Sequence, residues 1–176
     1  MYKRVEVCTL LVLLLLPFVA YGQHDNVPRR FPAPSIGPYH LNMNTAEISK
    51  LVELSPAELK GFERGMEFKG ERLYHVPPGR FAGSSWDVIL GAVDNRVYKI
   101  SALLVLDYRE QQHHVWQNLK TLLDSQFGLP ETPVPNVIIW DTLDGNVVMN
   151  LGDTDGKYAV VLTTTSSAVR NFVRTK

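Results

Sequence analysis

The chain predicts an α+β fold: a mainly antiparallel sheet of about five to six strands, with one long helix and short N- and C-terminal helices packed on one face. Three observations carry this. Apolar residues alternate with polar ones in several runs, and short polar turns join those runs, so neighbouring strands run antiparallel. One segment, residues 107–128, repeats its apolar residues at helical spacing. The elements also segregate along the chain: helix, helical turn, two or three strands, long helix, three strands, short helix.

Each element has a local reason. Residues 23–39 hold Pro28, Pro32, Pro34 and Pro38 among polar neighbours, which removes backbone donors and favours extended chain, so this stretch reads as a spacer. Asn44-Thr45-Ala46-Glu47 has the form of a capping box, with Ile48, Leu51 and Val52 as the apolar face of a first helix. A second helical start follows at Ser55-Pro56-Ala57-Glu58, with Leu59 and Phe62 to bury. A strand over Met66–Val76 ends at Pro77-Pro78-Gly79. Trp86, Val88 and Leu90 then alternate with Asp87, Ile89 and Gly91. After a turn at Asp94-Asn95-Arg96, Tyr98, Ile100, Ala102, Leu104 and Leu106 share one face of the next strand. Leu103 and Val105 make its other face apolar too, as in a central, doubly covered strand.

The long helix opens with a second capping pattern, Asp107-Tyr108-Arg109-Glu110. Val115, Leu119 and Leu122, with Trp116, Leu123 and Phe127, recur at helical spacing up to Gly128. A proline-marked loop, residues 128–135, leads to Val137–Asp141 and then, past Asp144-Gly145, to Val147–Leu151. Asp-Gly between alternating apolar residues is a strong hairpin signal, because both residues tolerate positive φ. A further turn at Asp153-Thr154-Asp155-Gly156 leads to Tyr158, Val160 and Leu162, completing a three-strand meander. Ser166 or Ser167 can then cap a last helix through Val169, Phe172 and Val173.

The first 22 residues carry a different signal. Lys3 and Arg4 precede an uncharged apolar run from Val7 to Ala20, and Ala20-Tyr21-Gly22 puts small residues where a signal peptidase needs them. Cleavage is expected between Gly22 and Gln23, which makes the mature chain secreted or periplasmic. Fourteen helical residues span roughly 21 Å, short of a hydrocarbon core about 30 Å thick, so no stable membrane anchoring is expected after cleavage. Cys8, the only cysteine, leaves with the signal, so the mature fold has no disulfide to lean on.

Removing Lys3, Arg4 and Glu6 from 18 basic and 18 acidic side chains leaves 16 and 17 in the mature chain. A near-neutral domain sets up no field of one sign, which argues against nucleic acid as a partner. Residues 40–176 therefore read as one α+β domain behind a signal peptide, 1–22, and a proline-rich N-terminal spacer, 23–39.

Ile36 to Leu54, IGPYHLNMNTAEISKLVEL, followed by a strand meander, resembles the small exported α+β modules of the outer-membrane assembly lipoprotein and β-lactamase-inhibitor-protein type. The resemblance implies an α+β fold and a general role as a binder. It carries over no site residue.

The chemistry-bearing residues form no motif. His113 and His114 are helix neighbours and point about 100° apart, so they cannot share one metal. His24, His40 and His75 stand alone. Asp153-Thr154-Asp155-Gly156 starts like a calcium loop, but Lys157 takes the place of a ligand and the distal glutamate is missing. Gly83-Ser84-Ser85-Trp86 lacks the second glycine of a nucleophile elbow. Asp141 and Asp144 flank a hairpin, Trp86, Trp116 and Trp140 suit a core better than a cleft, and Arg80-Phe81 is at most a contact loop. No catalytic, cofactor-binding or metal-ligating residue is assigned.

Two functions remain. The first is an exported, non-catalytic binding or accessory module, recognising a protein or peptide along an exposed sheet edge. The alternative is a small extracytoplasmic hydrolase whose polar residues, such as His75, Ser85 and Asp141, converge only in three dimensions.

Overall fold

The computed structural model describes residues 31–55, 70–130, 135–154 and 156–168. Seven strands form one sheet: β1 (Val52–Glu53), β2 (Arg72–Phe81), β3 (Ser84–Val93), β4 (Arg96–Leu106), β5 (Val137–Asp141), β6 (Gly145–Thr154) and β7 (Lys157–Ser166). Their order across the sheet is β1-β2-β3-β4-β7-β6-β5, and every neighbouring pair is antiparallel. The helix α1 (Arg109–Phe127) follows β4 and carries the chain to the far edge, from which β5, β6 and β7 return until β7 pairs with β4.

The turns explain the short connections. Ala82 and Gly83 between β2 and β3, and Asp94 and Asn95 between β3 and β4, all have positive φ, which turns the chain with the twist that antiparallel strands need. In the next hairpin Gly145 is required for a different reason than φ. A Cβ there would stand 1.8 Å from the Thr165 carbonyl oxygen, so only a glycine lets β6 start this close to β7.

One face of the sheet holds the core. Val88, Leu90, Ile100, Ala102, Val147, Met149, Val160 and Leu162 are buried beneath Trp116, Leu119 and Leu123 of α1. Gly128 ends the helix at φ 84°, its N–H bonded to the Asp124 carbonyl. The other face mixes Ile89, Ser101, Leu103, Thr163 and Val148, and Val105 remains 39% exposed there.

Several expectations are corrected. Among the described residues the sheet has seven strands, not about five to six. The N-terminal helix is only a 3-10 turn, Thr45–Glu47. Asn44 does cap it, accepting from Ala46 N–H at 3.0 Å, but Asn42 N–H bonds to the Val97 carbonyl and Thr45 N–H to that of Asn95. That pairing pulls the backbone extended, Ile48 leaves the turn at φ −92°, ψ 117°, and Val52 enters β1. The strand expected to stop at Pro77-Pro78 continues through them to Phe81, with a register shift between Val76 and Gly79 that accommodates two residues lacking N–H.

At the head of α1, Tyr108 is the N-cap and makes no side-chain cap bond, because Asp107 pairs with Lys157 instead. Ile36 and Tyr39, within the stretch read as spacer, are buried in the core. Ser166 Oγ accepts from Ala168 N–H at 3.3 Å as a helical turn begins, and the remainder of the expected C-terminal helix lies outside the described residues. The second helical start, over residues 55–62, also lies outside them beyond Ser55.

Candidate functional site

The two edges of the sheet differ. At one, β1 has only two residues, both exposed, and Glu53 and Arg72 place opposite charges 3.8 Å apart across it. Carbonyl oxygens of β2 are also taken there: Leu54 N–H bonds to Leu73 O at 2.9 Å, Tyr39 Oη to Pro77 O at 2.8 Å and Gly37 N–H to Arg80 O at 2.9 Å. A short outer strand, charges, prolines and a register shift are the devices by which proteins blunt an edge.

The β5 edge carries no proline and no register shift, and its one charge, Asp141, stands at its end. The β5–β6 ladder is regular over all five residues, and the strand reads Val-Ile-Ile-Trp-Asp with no lysine or proline. Leu151 N–H bonds to the Asn136 carbonyl and Thr142 N–H to that of Gly145, which fixes the phase of the ladder. Ile138 and Trp140 therefore spend their main-chain groups on β6, while Val137 and Ile139 turn theirs outward. Among the described residues, no hydrogen bond reaches those outward N–H and C=O groups of Val137 and Ile139. On the helix side the strand is anchored: Trp140, 1% exposed, donates from Nε1 to Asp124 Oδ1 at 3.0 Å, and the same carboxylate pairs with Lys120. On the other side Val137 and Ile139 are half-buried.

Next to the start of β5, an open crevice of about 520 Å³ lies between the first turns of α1 and β6. Arg109, Gln112, His113, Asn136, Leu151 and Asp153 line it. Gln112 is buried and structural, its Nε2 donating to the carbonyls of Gly152 at 2.9 Å and Ala159 at 2.8 Å, which ties the helix to β6 and β7. Arg109 and Asp153 form an exposed ion pair at 3.8 Å. The lining contains no hydroxyl or thiol that could act as a nucleophile.

The residues singled out from the sequence are scattered. His75 and Ser85 lie on β2 and β3, and Asp141 closes β5, four strand spacings from β3, or about 19 Å. His75 pairs with Ile89, which puts Ser85 about 13 Å further along the same strand. These three do not form one site. His40 and His75 are exposed separately, and His114 Nε2 lies 3.0 Å from the Asn118 amide. Trp86, Trp116 and Trp140 all belong to the core. Arg80 and Phe81 end β2.

Asp144 is occupied in holding the fold. Its Oδ1 accepts from Ala33 N–H at 2.8 Å and Thr142 Oγ1 at 3.1 Å, and its carbonyl accepts from Ser167 N–H at 2.8 Å. Among the described residues no three His, Asp or Glu side chains gather as metal ligands do, and no helix is long and apolar enough to cross a membrane. Sequence reasoning missed the β5 edge because its position depends on strand order; the only local hint is an unbroken aliphatic run after a proline-marked loop. No protein-family model, no characterised protein and no solved structure matches this chain.

Proposed function

We propose that this chain is an exported, non-catalytic binding module that takes an extended segment of a protein or peptide partner onto the free edge of β5. The observation that carries the reading is the pair of unbonded main-chain donors and acceptors at Val137 and Ile139, on a strand held rigid from behind by Trp140 and Asp124. Main-chain bonds from such an edge supply affinity for any extended chain, and the flanking side chains supply preference. A residue paired with Val137 or Ile139 projects onto the helix-free face, where aliphatic neighbours favour aliphatic side chains. The charged run and apolar stretch before Gln23 support export, and the likeness of Ile36–Leu54 to exported binding modules fits a recognition role.

The test is a random-peptide display selection on the immobilised chain, repeated on Ile139→Pro. The Ile139 N–H points away from β6, so proline there removes an outward donor and leaves the β5–β6 ladder intact. Selection is expected to enrich segments with aliphatic residues at alternate positions, and binding to Ile139→Pro is expected to fall about tenfold or more. Failure to enrich any segment, or equal binding by the variant, overturns the reading.

A further inference from the structure

We infer that, when no partner segment is bound, the β5 edge is closed by the β5 edge of a second copy of this chain, which a partner must displace. The inference rests on the proposed use of this edge and adds its regulation.

The argument starts from the phase of the ladder. Outward groups fall on Val137 and Ile139, two residues apart, with Ile138 between them. A two-fold axis through Ile138 sets Val137 opposite the second copy's Ile139, and the reverse. Both members of each such pair are then residues with outward N–H and C=O, so the contact forms four main-chain hydrogen bonds and leaves none of these groups unused. Ile138 faces its own counterpart as the closer, non-bonded pair.

Side chains agree with that register. Val137 and Ile139 are half-buried on the helix-free face and become cross-strand aliphatic neighbours. No charge within Val137–Trp140 opposes the approach, and a regular ladder leaves the edge free of any bulge that would twist it away. The other edge of the same sheet carries each of those protections, so the bare edge is specific to β5. An isologous contact also closes on itself, joining two seven-stranded sheets into one and leaving the outer, protected edges at its ends. Four main-chain bonds and two aliphatic pairs make a small contact, and small contacts are weak and exchange readily. That weakness is what lets a partner segment compete.

The test uses the protein purified after export and processing by the expressing cell, at concentrations from about 1 µM to about 1 mM. Sedimentation is expected to show the mass doubling across this range. In the same samples, hydrogen exchange at the Val137 and Ile139 amides is expected to slow as concentration rises, while the Ile138 and Trp140 amides, already bonded to β6, stay constant. Ile139→Pro is expected to remain monomeric with a cooperative unfolding transition. Ile139→Lys, which puts a charge on the edge without altering the backbone, serves as the second variant if the proline chain fails to fold.

A monomer at every concentration with unchanging exchange at Val137 and Ile139 overturns the inference. So does a dimer that survives in both variants. Peptide capture by wild-type chain that is always monomeric sinks only this inference. The absence of both dimer and peptide capture sinks the proposed function as well.

Discussion

Lys99→Met is the most informative single change to the fold. Lys99 Nζ lies 3.1 Å from Glu71 Oε1, with side-chain exposures of 12% and 0%. The contact is an ion pair more than an aligned hydrogen bond, and Gly91 lies against it, since a Cβ there would come 3.1 Å from that oxygen and 3.2 Å from Lys99 Cε. At 3.1 Å and an effective dielectric of about 20, the attraction is about 5 kcal/mol, much of which offsets the cost of removing both charges from water. Breaking the pair is therefore worse than never having it. Lys99→Met takes the Lys99 counter-charge away from a carboxylate with no exposed surface, at a cost of about 3–5 kcal/mol.

Glu71→Gln is milder, because the Lys99 ammonium lies over the Tyr98 ring at 5.3 Å and retains a route to water. The double variant removes both charges of this pair and recovers much of the loss. Urea unfolding measures all four proteins; with a slope of about 2 kcal/mol per M, Lys99→Met moves the midpoint down by about 1.5–2.5 M. A loss below about 1 kcal/mol, or single effects that simply add in the double variant, refutes the claim that these charges depend on each other.

Two further outcomes follow from local geometry. Gly145→Ala is expected to cost about 3 kcal/mol or more, because its methyl group meets the Thr165 carbonyl oxygen at 1.8 Å and one backbone must move. Gly156→Ala, where φ is 74° and no atom lies within 4 Å, pays only the left-handed backbone, about 1 kcal/mol; equal losses in thermal melts would show that β6 does not start against β7 as described. The third outcome concerns pH. Burial raises the pKa of Tyr39 above 10.0, favouring the neutral phenol that donates to the Pro77 carbonyl. The native state thus holds this proton more tightly than the unfolded chain, so its contribution is complete below pH 10.0 and is lost as pH climbs through the raised native value. Tyr39→Phe should lose about 1 kcal/mol at neutral pH and then fall less steeply than wild type in denaturation above pH 10, whereas parallel curves would deny Tyr39 any part in the alkaline loss.

What the sequence makes legible are the features set by neighbours in the chain. The 3.6-residue spacing of Trp116, Leu119 and Leu123 and the stop at Gly128 define α1, and alternation defines β3, β4 and the β5–β7 meander. Reading fails where distant backbone intervenes. Asn44 caps as its pattern promises, yet the helix ends after three residues because Asn42, Met43 and Thr45 bond to residues 95–97. Pro77 and Pro78 look like a strand end, and they are absorbed because the register of β2 shifts there beside a two-residue neighbour.

The candidate site is illegible for a related reason. Ile138 and Trp140 are buried under α1 and Val137 and Ile139 are aliphatic on the opposite side, a composition that also describes a central, doubly covered strand. Leu103 and Val105 in β4 show the same pattern, and β4 is indeed the middle strand of the seven. What separates the two strands is the path of α1, which delivers the chain to the far edge before the meander returns and so leaves β5 outermost. Edge character is thus a property of strand order, and with it goes the availability of the Val137 and Ile139 main chain. On the proposed reading, substitutions that keep Ile138 and Trp140 buried and leave positions 137 and 139 aliphatic preserve binding at this edge, and loss of one outward N–H is expected to weaken it.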